Sequence, residues 1–289
     1  MEAGEIHDIR YVSNGHIRQK LDLYLPAGRS EPCPLLIYIH GGAFMFGTKE
    51  TDLLPKHLTD KGYAVASLDY RLSGDAVFPA ALEDCKAAVR WLRAHAYVYR
   101  IDPDRFVAWG ESAGGHQAAM LGATGGQTNE FDVGDHLHIP STVQGVVSYS
   151  APTDFLKMDA NAPPNSQKHD PANSPESRYI GGPITEQPEK VKRANPITYI
   201  SSLTPPFFIA HGTEDHTVPF NQSELLVSAL KEAGVPVGFH PVEGAEHVFR
   251  GATDEQIRAL NLATESFLQD LFEGLRANEV HGSHTAEQD

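Results

Sequence analysis

The sequence predicts an α/β protein with a mostly parallel central sheet and helices on both of its faces. The first observation behind this prediction is a series of short, nearly continuous apolar runs, such as residues 35–39, which are typical of buried parallel strands. The second is that segments with apolar residues at helical spacing separate these runs, so strands and helices alternate. The 289 residues contain no repeat and no long linker, so we expect one domain over residues 1–289.

The individual elements follow from local patterns. Residues 6–12 and 19–25 flank Asn14-Gly15, which predicts an antiparallel hairpin at the start of the chain. Further strands are predicted at residues 34–40, 63–69, 106–109, 143–149, 206–211 and 237–242. Helices are predicted at residues 52–61, 79–96, 221–233 and 254–275, and directly after residue 112.

Two segments break the alternation. Residues 152–200 hold eight of the twenty prolines and show little periodicity. We interpret them as an irregular, lid-like insertion that faces the substrate, with a disordered surface insertion as the alternative. Phe155, Tyr179 and Ile180 are candidates for apolar pocket surface in this insertion. Residues from about 278 to 289 have too few apolar side chains to pack, which predicts a frayed tail.

The central motif of the chain is Gly110-Glu111-Ser112-Ala113-Gly114, which fits the G-x-S-x-G pattern of a nucleophile on a sharp strand-to-helix turn. Small neighbours allow the strand and helix backbones to approach closely at such a strained turn. Ser112 is therefore the candidate nucleophile. The amide of Ala113, at the N-terminus of a predicted helix, is a candidate donor to an oxyanion.

A serine nucleophile needs a base and an acid that orients this base. His247 is the candidate base, because it lies in a small-residue loop between the last predicted strand and the last helix. Asp215 is the candidate acid, because it follows the strand at residues 206–211, and Glu214 is the alternative. Parallel strands end at one edge of a sheet, so we expect these loops to meet Ser112.

A second source of oxyanion donors is the loop His40-Gly41-Gly42-Ala43-Phe44, which follows a central strand. Its glycines let the backbone turn and direct the amides of Gly42 and Ala43 at the site. We interpret His40 as a residue that holds the loop in shape. The candidate pocket residues are Phe44, Glu111 and Val218.

Composition narrows the possible partners and location. The formal net charge of −15 argues against nucleic acid and anionic membranes, and it favours neutral over polyanionic substrates. No apolar run reaches about 18 residues, so no membrane span is expected. The N-terminus lacks a basic segment followed by an apolar one, so we expect a cytoplasmic protein, with secretion after removal of a signal as the alternative.

Two cysteines and one loop rich in acidic and histidine residues bear on redox chemistry and metal binding. Cys33 and Cys85 are expected to be reduced thiols rather than a disulfide. One loop concentrates acidic and histidine residues, but their spacing is a weak signal for a metal site and favours a polar surface loop. The residues of this loop are Asp132, Asp135, His136 and His138. We therefore expect no metal and no organic cofactor, in a monomer or a homodimer.

Together these motifs make the chain resemble a serine esterase of the α/β-hydrolase fold, near the hormone-sensitive-lipase-like and BD-FAE (bifunctional feruloyl and acetyl xylan esterase) groups. The triad order Ser–Asp–His is the one found in α/β-hydrolases. The matching pieces are His40-Gly41-Gly42-Ala43-Phe44, Asp69-Tyr70-Arg71-Leu72, Phe78-Pro79-Ala80-Ala81, Glu83-Asp84, Gly110-Glu111-Ser112-Ala113-Gly114-Gly115, His211-Gly212-Thr213-Glu214-Asp215-His216-Thr217-Val218-Pro219 and Glu246-His247.

The resemblance implies roles for individual residues. By analogy with the family, Ser112 attacks the substrate, His247 relays protons and Asp215 orients His247. The oxyanion amides map to Gly42, Ala43 and Ala113. Ala43 stands where the family usually has a third glycine, which implies less room for bulky alcohols. The Asp69-Tyr70-Arg71 stretch is structural in such folds.

The function that the resemblance implies is hydrolysis of short-chain or aromatic acyl esters of small molecules by a serine carboxylesterase. Three alternatives remain at this stage. An aryl formamidase of the kynurenine formamidase type would use the same machinery. A prolyl-oligopeptidase relative is disfavoured, because no propeller-sized domain precedes the hydrolase motifs. A non-catalytic ligand receptor on the same fold would often have lost a triad residue, whereas all three are present here.

Overall fold

The computed structural model describes residues 4–28 and 30–285, and the side chains among them other than those of residue 161 and residues 278–285. In this part of the chain, eight strands form one sheet: β1 (Gly4–Arg10), β2 (Lys20–Leu25), β3 (Cys33–Ile39), β4 (Ala64–Leu68), β5 (Ile101–Glu111), β6 (Gly145–Tyr149), β7 (Phe207–Gly212) and β8 (Val237–Val242). The order across the sheet is β1-β2-β4-β3-β5-β6-β7-β8. β2 pairs antiparallel with β1 and β4, and all other pairs are parallel.

Helices cover both faces of this sheet. They are α1 (Ala80–Ala94), α2 (Ala96–Tyr99), α3 (Ala113–Thr124), α4 (Pro175–Ile180), α5 (Pro188–Ala194), α6 (Asn221–Glu232) and α7 (Asp254–Thr285). Side chains of β3 alternate between two apolar cores, as the twofold period of a strand requires. Leu35 and Ile37 belong to the core that also holds residues of α1, α3 and α6, whereas Leu36 belongs to the core that holds residues of α7. The predicted mostly parallel sheet with helices on both faces is confirmed.

The insertion at residues 152–200 packs on the core of the sheet. Its role as a lid stays a prediction. It contains α4, α5 and several short 3₁₀ turns. Phe155, Tyr179 and Ile180 are fully buried in the core that also holds α1 and α3. The amide of Phe78 donates a hydrogen bond of 2.7 Å to the carbonyl of Tyr179, which ties the insertion to the start of α1.

Two predicted helices have different bounds in the structure. The helix predicted at residues 52–61 is a 3₁₀ helix over Lys56–Lys61, preceded by Pro55 and ended by Gly62 in a left-handed conformation. The last helix continues beyond residue 275 to Thr285. The side chains from residue 278 and the whole of residues 286–289 lie outside the described part of the chain, so the frayed tail stays a prediction.

The Asp69-Tyr70-Arg71 stretch joins the end of β4 to α1. The guanidinium of Arg71 donates to both carboxylate oxygens of Asp84 on α1, at 2.7 and 2.9 Å, and the amide of Arg71 donates to the same carboxylate at 2.8 Å. The hydroxyl of Tyr70 donates to the carbonyl of His40 at 2.8 Å. Arg71 thus ties the stretch to α1, and Tyr70 holds the start of the oxyanion loop, in agreement with a structural role.

Two further expectations concern cysteines and membrane spans. Cys33 lies in β3 and Cys85 in α1, and both are buried thiols that form no disulfide with each other. Among the described residues, no helix combines the length and the apolar character that crossing a membrane requires.

Candidate active site

Ser112 lies between the last residue of β5 and the first residue of α3. Its backbone has φ 53° and ψ −122°, a conformation that costs a non-glycine residue about 1–3 kcal/mol. The two flanking glycines are required by space. A Cβ on Gly114 would lie 1.9 Å from the carbonyl oxygen of Ile39, and one on Gly110 would lie 2.3 Å from the backbone of Gly114. The elbow predicted from the sequence is therefore present.

Three side chains from distant parts of the chain form one hydrogen-bonded array. The Oγ of Ser112 is 2.9 Å from Nε2 of His247, and Nδ1 of His247 is 2.7 Å from Oδ2 of Asp215. A carboxylate can only accept, so Nδ1 of His247 carries the proton and Nε2 accepts from the Ser112 hydroxyl. This tautomer is the one that a base for Ser112 requires.

The carboxylate of Asp215 is held by four donors. The amides of Thr217 and Val218 each donate to Oδ1 at 2.8 Å, and His247 and His211 contact Oδ2. Burial raises the pKa of Asp215, but the hydrogen bonds from His211 and His247 outweigh it and hold this pKa well below its usual range. Asp215 therefore stays ionised beside His247.

The alternative acid, Glu214, is placed differently. Its side chain is exposed, and its amide donates to the carbonyl of Ala245 at 2.9 Å in the turn that carries His247. Gly212 allows these two turns to meet, because a Cβ there would lie 2.3 Å from the same carbonyl oxygen. The structure brings Asp215, and not Glu214, to the imidazole.

The loop after β3 presents backbone amides on the other side of Ser112. Gly42 and Ala43 both have positive φ, at 110° and 54°. The amide of Gly41 is already used, since it donates to Oε1 of Glu111 at 2.7 Å. Within the described part of the chain, the amides of Gly42, Ala43 and Ala113 donate to no protein acceptor. They are available to an oxyanion at Ser112.

His40 shapes this loop, as the sequence predicts. Its Nδ1 is 2.6 Å from the carbonyl oxygen of Gly41, and its ring stacks on Tyr70 with 4.5 Å between centroids. Burial lowers the pKa of His40 to about 4, so the ring is neutral near pH 7. A neutral ring that donates through Nδ1 satisfies the Gly41 carbonyl.

The chain resembles known proteins along most of its length. The family model described as BD-FAE matches residues 21–230. The chain belongs to the BD-FAE family. The chain is also 29% identical to a probable carboxylic ester hydrolase, LipM of Mycobacterium tuberculosis, over 88% of this chain and 58% of LipM. It spans about three fifths of the length of the curated relatives it matches.

Two solved structures share the BD-FAE chain's architecture. A truncated carbohydrate esterase from gut microbiota superposes with a TM-score of 0.82 at 28% identity, covering 93% of this chain and 96% of that one. A bifunctional GH43-CE protein of Bacteroides eggerthii has a TM-score of 0.81 at 32% identity, covering 92% of this chain and 38% of that one. The predicted α/β-hydrolase fold and the predicted family are thereby confirmed.

A cavity of about 180 Å³ lies beside the nucleophile of this BD-FAE chain. Two of the three candidate pocket residues, Phe44 and Val218, line it. The other lining residues are Ala43, Met45, Phe46, Ser112, Ala113, Pro152, Gln167, His169, Pro175, Glu176 and Thr217. Phe155, Tyr179 and Ile180 do not line it. Tyr179 and Phe155 lie behind Phe44, with 4.2 and 6.0 Å between their ring centroids and that of Phe44, and Ile180 is part of the same core.

Glu111, the third pocket candidate, does not line this cavity. Its carboxylate accepts from the Gly41 amide and, at 2.5 Å, from the Tyr38 hydroxyl. It lines a separate pocket of about 340 Å³ with Tyr38 and Trp109. Burial raises the pKa of Glu111 to about 7, against the opposing effect of these two hydrogen bonds. Glu111, the residue directly before Ser112, thus links the nucleophile elbow to the oxyanion loop of the BD-FAE chain.

His211 is a site residue to which the sequence analysis assigned no role. Its Nε2 lies 3.1 Å from Oδ2 of Asp215 and 2.9 Å from the carbonyl oxygen of Val218, and its Nδ1 lies 2.7 Å from the hydroxyl of Ser223. Because both Nε2 contacts are acceptors, Nε2 carries the proton. The available signal was the placement of a histidine at the end of a buried strand, four residues before the candidate acid.

In the loop that holds Asp132, Asp135, His136 and His138, two of the carboxylates bind other parts of the BD-FAE chain. Asp132 forms an ion pair of 2.6 Å with the buried Arg90, and the carboxylate of Asp135 accepts from the amide of Ser13 at 2.9 Å. Among the described residues, no group of three or more histidine, cysteine, aspartate or glutamate side chains is arranged to hold a metal ion.

Proposed function

We propose that this chain is a serine carboxylesterase that hydrolyses esters through an acyl-enzyme on Ser112. The observation that carries the proposal is the His247 ring, which bridges the Ser112 hydroxyl at 2.9 Å and the Asp215 carboxylate at 2.7 Å. Such an array activates a serine for attack on a carbonyl carbon. The resemblance of the chain to proteins named carboxylic ester hydrolase and carbohydrate esterase supports esters as the substrate class.

Acylation follows from the positions of these atoms. Nε2 of His247 takes the Ser112 proton while Oγ attacks the ester carbonyl, and the negative charge develops on the carbonyl oxygen. The amides of Gly42, Ala43 and Ala113 stabilise this oxyanion. The imidazolium is stabilised by the ionised Asp215 and then donates its proton to the leaving alcohol. The acyl group remains bonded to Oγ of Ser112.

Deacylation repeats these steps with water. Nε2 of His247 takes a proton from the water, the resulting oxyanion is held by the same amides, and the carboxylic acid leaves as the proton returns to Ser112. The cavity beside Ser112 measures about 180 Å³, below the roughly 300–1,000 Å³ that pockets for drug-sized ligands occupy. This size supports a short acyl chain rather than a long one, in keeping with the proposal of small ester substrates.

The test is hydrolysis of 4-nitrophenyl esters from acetyl to dodecanoyl, with methyl ferulate and N-formylkynurenine added. We expect short-chain esters to be cleaved fastest and Ser112→Ala to lower kcat by about four to six orders of magnitude while the far-UV circular dichroism is kept. The matched control is Ser228→Ala, which removes an exposed hydroxyl on α6. Its kcat should equal that of the wild type.

Other outcomes of this test would point to the alternatives. Faster turnover of N-formylkynurenine than of every ester would identify a formamidase instead. Turnover of the whole panel that persists in Ser112→Ala would contradict the nucleophile. No Ser112-dependent turnover of any compound would contradict an enzyme of either kind and favour a ligand receptor.

A further inference from the structure

The cavity beside Ser112 has two unlike walls. Phe44 and Val218 are apolar and almost fully buried. The insertion contributes two polar side chains to the same cavity. They are His169 and Glu176, which are 1% and 3% exposed. An unsubstituted alkyl group could form no hydrogen bond with a buried imidazole or carboxylate, so lining its pocket with them would only cost free energy. The polar wall therefore needs an explanation beyond chain length.

The hydrogen-bonding capacity of these two side chains is incompletely used by the protein. Nδ1 of His169 and Oε2 of Glu176 are 2.9 Å apart, an ion-pair distance. Both ring nitrogens of His169 and Oε2 of Glu176 lack a well-aligned hydrogen bond within the part of the chain that the structure describes. The His169 ring does face the Glu176 carboxylate and the Thr217 backbone, and both contacts raise its pKa. Buried polar atoms in native proteins nearly always have a partner, so a group from outside the chain is the natural candidate.

The backbone that carries both side chains is held in place by hydrogen bonds. The amides of His169 and Asp170 donate to the carboxylate of Asp159 at 2.9 and 3.1 Å. Glu176 lies in the first turn of α4, whose N-terminus is capped by the Ser174 hydroxyl at 3.0 Å from the Ser177 amide. A preorganised pair loses little freedom on binding a ligand, which is what a recognition site requires.

We propose that His169 and Glu176 form a polar subsite that binds a hydroxyl group of the ester substrate. The proposal rests on the proposed esterase function and narrows its substrate class. The hydroxyl donates to the Glu176 carboxylate and accepts from the His169 ring, so both side chains gain a well-aligned hydrogen bond in addition to their ion pair. The hydroxyl belongs to either the acyl or the alcohol part of the ester, and the test separates these two sources.

Charge favours a neutral hydroxyl over an ammonium or a carboxylate. Burial lowers the pKa of His169, but the adjacent Glu176 carboxylate outweighs it and raises this pKa above its usual value. The Glu176 carboxylate thus favours the protonated form of His169, whose charge would offset that of the carboxylate. A charged ligand group would have to be desolvated without a net opposite charge to compensate, whereas a hydroxyl loses much less hydration.

The test compares kcat/KM for ethyl acetate, ethyl glycolate and 2-hydroxyethyl acetate, with acid release measured by titration at constant pH. Ethyl glycolate carries the hydroxyl on the acyl part and 2-hydroxyethyl acetate on the alcohol part. We expect one of them to be preferred over ethyl acetate by about tenfold, the effect of one hydrogen bond to a charged group. Glu176→Gln and His169→Asn should each reduce this preference, measured as the ratio of kcat/KM to that of ethyl acetate in the same variant, to about twofold or less.

The matched control is Glu130→Gln, which removes one carboxylate of an exposed ion pair with Arg193 away from the cavity. This variant should keep the full preference, because a general loss of charge does not affect the subsite. Equal kcat/KM for all three esters in the wild type would overturn the proposal, as would a preference that survives in both Glu176→Gln and His169→Asn. No Ser112-dependent hydrolysis of any ester would instead overturn the proposed function on which the subsite rests.

Discussion

Glu111 shows how one residue next to the nucleophile links stability to pH. Its carboxylate is buried and accepts from the Tyr38 hydroxyl and the Gly41 amide, yet burial still raises its pKa to about 7 from 4.5. Between these two pH values the folded protein holds a proton that the unfolded chain has released. The free energy of unfolding therefore falls as the pH rises through this window, and above it the ionised carboxylate costs on the order of 3 kcal/mol.

Glu111→Gln should remove this component of the pH dependence. The glutamine oxygen can still accept from the Gly41 amide, and its amide group can donate to the Tyr38 oxygen, so both contacts are kept. As the pH rises from 4.5 to 7, the unfolding free energy of the variant should increase relative to that of the wild type. The full difference, about 3 kcal/mol, is reached above pH 7. Urea unfolding across this range measures the difference.

The control for this prediction is Glu243→Gln, which removes the same charge from an exposed position. Its stability should follow that of the wild type at every pH. If the wild type and Glu111→Gln gave parallel curves of unfolding free energy against pH, Glu111 would not be the group that titrates in this window.

At the scale of elements, the site depends on how closely α3 approaches β3 and β5. Gly114 is in the first turn of α3, and a Cβ there would lie 1.9 Å from the Ile39 carbonyl oxygen and 2.6 Å from that of His40. Both atoms belong to the backbone that leads into the oxyanion loop, so a side chain at Gly114 cannot be accommodated by a rotamer change. The close approach places the amide of Ala113 beside this loop.

Gly114→Ala should therefore move α3 away from β3 and lower the unfolding free energy by at least the 1–3 kcal/mol or so that overpacking costs. Alanine has a higher helix propensity than glycine, so without the clash the substitution would raise the unfolding free energy. The measurement is urea unfolding beside Gly74→Ala, where a Cβ meets nothing within 4 Å. Equal stability of the two variants would show that α3 has room to shift.

The elements at the centre of the sheet could be predicted because their signals are local. A buried parallel strand is a continuous apolar run, and an elbow needs glycines at fixed positions around Ser112. These signals placed Ser112, Asp215 and His247 in loops that end at one edge of the sheet. In a parallel sheet these loops all leave from the same edge. Ser112 and His247 could therefore be paired from the sequence although they are 135 residues apart.

The insertion could not be predicted in the same way, because its structure depends on distant contacts. Gln222 on α6 accepts from the amides of Thr153 and Asp154, both at 2.8 Å, and such contacts leave no periodic pattern in the sequence. His169 is one of fifteen histidines, and nothing near it in the sequence marks it as a cavity residue. Its partner becomes apparent only when α4 is in place.

At the scale of the whole molecule, the net charge of −15 acts on every substrate that approaches the site. Such a field disfavours anionic ligands and has little effect on neutral ones. The screening length shrinks from about 30 Å at 0.01 M salt to about 10 Å at 0.1 M, so the penalty on an anionic ligand should shrink with it. The net charge therefore predicts how salt affects the hydrolysis of anionic esters, which the geometry of the catalytic array does not predict.

The prediction compares two esters of similar length, 4-nitrophenyl butyrate and the 4-nitrophenyl monoester of succinic acid. With rising salt, kcat/KM for the anionic succinate ester should increase several-fold, whereas that for the butyrate should change little. Ser112→Ala supplies the background rate for each ester at each salt concentration. The neutral ester controls for salt effects on the enzyme itself, since these would alter both rates alike. A ratio of the succinate rate to the butyrate rate that falls with salt would show that local cationic groups, and not the net charge, govern access to Ser112. A constant ratio would contradict any effect of the net charge on access.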